Sequence, residues 1–382
     1  MSLTVEIIAG LDATPALSAR WLSMLAAAEQ GMAGASVSNT PQWHACLAAQ
    51  AKWRDTVRMF VVMEDGVPVA IFPAAINRES GPAGIPNLFY MQEIYATRST
   101  LITARKDADV IDALVAALGR HGGYGKLYIT FIEDSRDESM FFAAAARHQL
   151  AYRQVSRVES AYIDISAALA TGAAYFEGLD RKFRYNVNSR ENKLAELGAL
   201  TLTIHEREDE VRDYLDAVYA IERKSWKEKA GTSITANAFQ QEFYEAFTPC
   251  AAACGWLRGA VLRLDGVPVA YSYGIAYHGV FESLKSSYDD EYKKFAPGNV
   301  IKKRLLDYVS SAGLRYYDLM GEVEDSKLKW NPKPYVRTSY VLFPRTLRGT
   351  IMRLASWLQA RRQAPAAVVA AAPAAAADKS AS

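Results

Sequence analysis

Cysteine is scarce in this chain: three residues in 382, Cys46, Cys250 and Cys254. That is too few for a disulfide framework. No histidine lies near Cys250 or Cys254, so they read as small buried thiols rather than half of a zinc site. The five histidines (His44, His121, His148, His205, His278) show no metal-ligand spacing and no partner for a nucleophile. No metal is expected. A Gly-x-Ser-x-Gly elbow is missing too, which removes the serine-hydrolase reading. Charge of one sign is absent: 44 Lys and Arg against 42 Asp and Glu leave +2, so bulk charge offers DNA no footing. No apolar run reaches the ~18 residues of a membrane-spanning helix. The N-terminus, MSLTVEIIAGLDATPALSARW, lacks a basic segment followed by an apolar one. No signal peptide is expected, and the expected location is cytoplasmic.

What is present is ample core material. At 382 residues and 50% hydrophobic composition, two domains are expected. Residues 3–8 read as a strand, and 15–30 and 41–52 as helices, the second entered at Thr40-Pro41. RMFVVMEDGVPVAIFPAAI is two apolar strands joined at Asp65-Gly66, a hairpin signal. Residues 107–119 read as an amphipathic helix, 126–133 as a buried strand, 237–248 as a helix and 281–289 as a strand.

The ingredients repeat. The hexapeptide DGVPVA stands at 65–70 and again at 265–270, and LVAALGRHGGYGKLYITFIEDS is echoed by LLDYVSSAGLRYYDLMGEVEDS. Two echoes in the same order point to an internal duplication. The copies differ at one place. In the second, Pro297-Gly298 precedes a helical pattern in which Ile301, Leu305, Tyr308 and Ala312 share a stripe, with Lys302, Lys303 and Asp307 left to face water. Gly313 stops that helix, and RYYDLMG reads as a strand ending at Gly321. A helix start carries unpaired N–H groups and the positive dipole end, which attract phosphate; Gly298 permits close approach and Asn299 is a candidate cap. The first copy has YATRSTLITARKDADVIDAL there, with no glycine at the turn, so it reads as a degenerate scaffold or acceptor-binding half.

Between the copies runs a basic helix on which Arg181, Arg184 and Asn188 share a face, either solvated or turned to an anion. In IERKSWK, Glu222 and Trp226 are one turn apart and can both enter a cleft. Residues 346–363 place Leu347, Ile351, Leu354 and Leu358 on one stripe with Arg348, Arg353, Arg361 and Arg362 around or beyond it. Such a helix docks on its own domain or lies on an anionic membrane. Residues 364–382 are low-complexity and expected to be disordered.

The run from Tyr288 to Trp330 resembles the C-terminal half of the Gcn5-related N-acyltransferase (GNAT) superfamily. The nearest branch is the CelD-like and BioF2-like acetyltransferases, relatives of the FemAB peptidoglycan aminoacyltransferases. Tyr288-Asp289, Tyr292, Pro297-Gly298, Gly313, Asp318, Gly321, Lys327 and Trp330 carry the resemblance, supported by RKFRYNVNSR and IERKSWK. It implies tandem α/β (α+β) GNAT folds, each a mixed twisted sheet flanked by helices: a degenerate domain at 1–165, a catalytic domain at 166–345, then the basic helix and the tail.

The resemblance also implies acyl-CoA as co-substrate, held by Phe295, Ala296, Pro297, Gly298, Asn299 and Val300. An amine acceptor (a sugar, a peptidoglycan precursor or a sphingoid-type lipid) would attack the thioester directly. The donor alternatives are acyl carrier protein and, as in FemAB relatives, aminoacyl-tRNA; a long helical arm of the FemAB kind is not evident. A non-catalytic accessory role in polysaccharide assembly is the reading from another class. An amine with a pKa near ~10.4 must lose a proton to a base, for which Asp318, Asp289 and Glu222 are candidates. Tyr288, Tyr292 and Tyr317 are candidate acids for the thiolate. The carbonyl would be polarised by backbone N–H groups of 283–289. Arg181, Arg184, Trp226, Lys227, Gly321, Lys327 and Trp330 are the expected substrate contacts, Trp330 also packing its loop. Partners are thus the amine acceptor and an anionic membrane surface, with location extending to the inner face of the cytoplasmic membrane.

Overall fold

The two DGVPVA segments fold identically. In the computed structural model Asp65 and Asp265 take φ 47° and 48°, followed by Gly66 and Gly266 at φ 83° and 80°. Both central turn residues lie in the left-handed region, which Asp tolerates and Gly prefers, so each turn closes a tight hairpin. The structure describes residues 2–363 apart from 12–14, 29–30, 33, 51–52, 54, 78–83, 92–97, 99 and 106; the 364–382 tail and part of the first copy's 95–107 loop lie outside the described residues.

The first half contains β1 (Leu3–Ala9), α1 (Pro15–Ala26), α2 (Pro41–Ala49), β2 (Val57–Glu64), β3 (Val67–Asn77), β4 (Asn87–Tyr90), β5 (Ile102–Thr103), α3 (Ala108–Arg120), β6 (Lys126–Ile132), α4 (Arg136–Arg147) and β7 (Ala151–Asp164). The second contains α5 (Ser166–Thr171), α6 (Arg181–Ala195), β8 (Leu200–His205), α7 (Val211–Lys224), α8 (Trp226–Lys229), α9 (Ala238–Ala253), β9 (Leu257–Leu264), β10 (Val267–Tyr277), β11 (Val280–Tyr288), α10 (Pro297–Ser311), β12 (Tyr316–Asp318), α11 (Asp325–Leu328) and β13 (Lys333–Phe343), followed by α12 (Leu347–Gln363).

Helices α1 and α2 end at Ala26 and Ala49, earlier than the periodicity suggests. Helix α9 instead runs through Pro249 to Ala253, because burying Phe247, Ala251 and Ala252 outweighs the one backbone bond proline removes. Strand β12 stops at Asp318 rather than Gly321, since Met320 and Gly321 both turn to positive φ, 52° and 59°. The three cysteines are half-buried rather than fully so.

Instead of two sheets there is one mixed sheet, in the order β1-β2-β3-β4-β6-β13-β7-β12-β11-β10-β9-β8, with β5 on β3. Each half is an antiparallel run of four strands, then a parallel fifth: β4 with β6, and β11 with β12. The sixth strand is exchanged. Strand β13 of the second half pairs with β6, and β7 of the first pairs with β12. Strands β7 and β13 pair with each other at the centre. The sheet therefore runs unbroken past residue 165. Helix α7 lies over β9–β11 and α10 over β9–β11 as well. Buried Ile301, Leu305 and Val309 join Phe281 and Tyr317 in the core of the second half.

Candidate active site

Strands β11 and β12 touch over only three positions, from Val280↔Tyr316 to Glu282↔Asp318. Beyond that point β11 continues to Tyr288 with its β12 edge uncovered, and a cleft opens. The ladder to β10 also slips here: Ser283 faces Gly274 and Lys285 faces Tyr273, which leaves Leu284 without a partner. This is a bulge, a device that re-aims a strand beside a site. The Asp289 N–H donates to Val269 O at 2.9 Å, so the backbone groups of alternate residues 287 and 285 face β10 and those of 286 face the cleft. The Ser286 carbonyl accordingly accepts from Lys227 Nζ at 2.6 Å, and its N–H points the same way.

The cleft is a cavity of about 790 Å³. One wall is Ser283–Tyr288; another is the start of α10, with Ala296, Gly298, Asn299 and Lys302; the third is Leu319–Gly321 with Glu324 and Lys327. Among the described residues, Arg190, Lys227, Lys285, Lys293, Lys302 and Lys327 line it against a single carboxylate, Glu324. The net charge of the chain conceals this concentration. Burial pushes the Lys302 ammonium down to about 8, with Lys327 adding repulsion and Glu324 opposing it. Lys285 is pushed to about 8 by the same cause, and it donates to Thr232 O (2.9 Å) and Gln240 Oε1 (2.6 Å).

The cap of α10 is Ala296, not Asn299. Ala296 sits at φ 46° with no side-chain bond to the helix, a conformation costly for a residue with a Cβ. Asn299 is the third helical residue. A Cβ on Gly298 would stand 3.6 Å from Tyr288 Cδ1, so the Tyr288 ring lies directly beside position 298 on the cleft wall. Pro297 and Val300 are buried and Phe295 packs on the same core. They brace the turn from behind.

Several expected site residues lie elsewhere. Asp318 is 0% exposed; its Oδ1 accepts from Met320 N (2.9 Å) and the Tyr335 hydroxyl (3.0 Å), and Arg98 Nε stands 3.2 Å from Oδ2. Desolvation raises it to about 6, with Arg98 opposing. Glu222 is also 0% exposed, accepting from Ile234 N (2.7 Å) and the Tyr271 hydroxyl. Asp289 caps a 3-10 turn through Glu291 N (3.0 Å) and meets Lys224 at 3.1 Å. None of the three lines the cleft.

Trp330 is enclosed by Phe176 and Phe183, and Tyr317 is buried. Arg184 pairs with Glu177; Arg181 is exposed outside the cleft. The basic helix α6 is tied to α10 by Glu191, which meets Lys303 and Arg304 at 2.7 Å each, so Lys303 is paired rather than free. Trp226, Lys227, Tyr288, Gly321 and Lys327 do line the cleft, and Lys327 spans its loop by donating to Met320 O and Glu322 O. Sequence reasoning misses Lys302, Lys285, Lys293 and Glu324. Lys302 had a signal, since four residues after Gly298 is the same helix face.

Residues 181–328 match the family model described as an acetyltransferase (GNAT) domain. No curated protein matches the chain. Among solved structures the chain is similar to FemX, with a TM-score of 0.61 at 10% identity, covering 93% of this chain and 99% of that one. A conserved protein of unknown function from Bacteroides thetaiotaomicron VPI-5482 gives 0.54 at 13% identity, over 85% and 97%. The C-terminal domain assigned to a lysylphosphatidylglycerol synthetase from Agrobacterium fabrum gives 0.51 at 13%, over 90% and 96%. At these identities the likeness is one of fold.

Proposed function

We propose that the chain, whose residues 181–328 match the acetyltransferase (GNAT) domain model, is an N-acyltransferase moving an acyl group from acyl-CoA to an amine of a cell-envelope molecule. The observation carrying this reading is the cationic cleft that opens where β11 leaves β12, with the uncapped start of α10 on its wall. The donor's phosphates sit at the start of α10, at Gly298, beside Lys302 and Lys293, since a helix start and ammonium groups both favour anions. Its thioester arm lies along the free edge of β11. The carbonyl then reaches the bulge at Leu284, where the Ser286 N–H polarises it.

The amine attacks the thioester carbon, the C–S bond breaks, and the thiolate takes up a proton. Glu324, the one carboxylate on the cleft wall among the described residues, is the group we assign to receive the amine's proton, directly or through water. Tyr288 stands against Gly298, at the phosphate end rather than at the bulge. Asp318 serves by fixing Met320 in its left-handed turn, which shapes the opposite wall.

The test is thermal unfolding of the purified chain with acetyl-CoA, a long-chain acyl-CoA and free CoA. A ligand at a hundredfold excess over Kd adds about 2.7 kcal/mol, and a preference for one acyl length would size the acyl pocket. Absence of response to all three sinks the acyl-CoA reading. An aminoacyl-tRNA donor, as used by the FemAB relatives, is the second reading, favoured by the six cations of the cleft and the FemX-like fold. Transfer of a labelled aminoacyl group from tRNA, with no CoA response, would establish it instead.

A further inference from the structure

Helix α12 has two apolar faces, and the body of the protein uses one of them. Met352 (0% exposed) and Ser356 face inward. Met352 packs with Val341 and Phe343, and Ile85 and Tyr128 border that cluster. Gly349 is pressed against the Pro344 backbone, where a Cβ would come within 2.0 Å of its oxygen. The sequence stripe of Leu347, Ile351, Leu354 and Leu358 points the other way, at 78%, 43%, 54% and 51% exposure, with Trp357 at 50%. Four exposed aliphatic side chains in one stripe on a helix form an apolar surface of the kind soluble proteins rarely leave uncovered.

Charge identifies what covers it. Arg345, Arg348 and Arg353 are exposed beside the stripe, and Arg361 and Arg362 follow in the sequence. No Asp or Glu occurs between Asp325 and Asp378, although the whole chain is only +2. A second copy of this chain would bring the same cations against themselves. A bilayer with anionic headgroups would accept both features at once. We propose that α12 is the surface on which this protein lies against an anionic lipid membrane, its leucines at the acyl boundary, its arginines among the lipid phosphates and Trp357 at the interface. The helix lies on the surface rather than crossing it: no described helix is long and apolar enough to span a membrane. The stripe shares no residue with the cleft, so this inference stands apart from the chemistry assigned there.

The experiment is co-sedimentation of the full chain with phosphatidylcholine vesicles, with and without roughly one-third phosphatidylglycerol. The wild type pellets with the anionic vesicles only, and less so as salt rises. Leu354→Glu with Leu358→Glu lowers partitioning at least ~tenfold, as loss of two buried apolar side chains requires. Arg348→Gln with Arg353→Gln weakens it separately. Because all four side chains are exposed, the melting temperatures stay near wild type, which separates lost binding from lost folding. Failure of the wild type to pellet, or equal pelleting by the leucine variant, overturns the proposal. So does a dimer in light scattering that Leu354→Glu dissolves, which would make a second copy the occupant.

Discussion

Arg98 and Glu282, 184 residues apart in the chain, meet at 2.6 Å between Nη2 and Oε1, each 1% exposed. Glu282 and Asp318 are the last partners before β11 and β12 part, and Arg98 reaches Asp318 as well, at 3.2 Å. A cation from the first half therefore sits at the fork of the second half's cleft. Ser36 Oγ (2.8 Å) and Val37 N (3.2 Å) complete the shell of Glu282.

Arg98→Met strands two buried carboxylates without a counter-charge. Removing one partner of a buried pair costs about 3–5 kcal/mol, so denaturant unfolding should shift by that amount. A variant within about 1 kcal/mol of wild type, far below that cost, would show that the fork does not depend on Arg98.

Asp318 makes stability depend on pH in an unusual direction for a carboxylate. Its folded value, about 6, lies above the ordinary 3.8. Between these values the native state holds a proton that the unfolded chain has released, so stability is greatest below the lower value and falls as pH rises through 6. At about 1.4 kcal/mol per tenfold, that gap is worth about 3 kcal/mol. Subtracting the Asp318→Asn curve from wild type should reveal this decline between pH 4 and 6; a flat difference refutes it.

Lys302 should set the pH dependence of donor binding. Its ammonium is charged below about 8 and neutral above, so affinity for CoA falls as pH rises through that value. Lys302→Gln should weaken CoA about tenfold at pH 7, as expected for a charge-assisted hydrogen bond, and flatten the profile. Lys302→Arg should keep tight binding to higher pH. Titration calorimetry reads all three.

Gly298 separates space from folding. The methyl group that Gly298→Ala adds makes an ordinary contact with Tyr288, so that variant should bind CoA within about threefold of wild type. Gly298→Phe fills the cleft and should abolish ligand-induced stabilisation while the apo protein still folds. Equal ligand response from the two would move the donor site elsewhere.

Tyr271 and Glu222 offer a contrast between core and cleft. Tyr271→Phe removes a hydroxyl donor from a buried carboxylate and should cost about 1–3 kcal/mol of stability, with CoA affinity unchanged in the folded fraction.

Much of the fold could be read locally. The hairpins at Asp65-Gly66 and Asp265-Gly266, the entry of α10 and the duplication are written in residues a few positions apart. The exchange of β7 and β13 was not legible, because Leu127↔Leu342 and Tyr162↔Asp318 are pairings with no local signature. Asp318 and Glu222 have the chemistry of a base but not its exposure, and their hydrogen-bond partners, Arg98, Tyr335, Ile234 and Tyr271, are fixed only by tertiary packing. Glu324 had no distinguishing neighbour in sequence; its place on the cleft wall follows from the loop that Lys327 draws together.

Strand exchange also sets an order of events during synthesis. Residues 126–132 leave the ribosome about 200 residues ahead of their partner at 333–343, an interval of roughly 10–40 s at 5–20 residues per second. Throughout it the outer edge of β6 has open N–H and C=O groups, the kind of edge on which chains aggregate. The first half, although made first, is completed last.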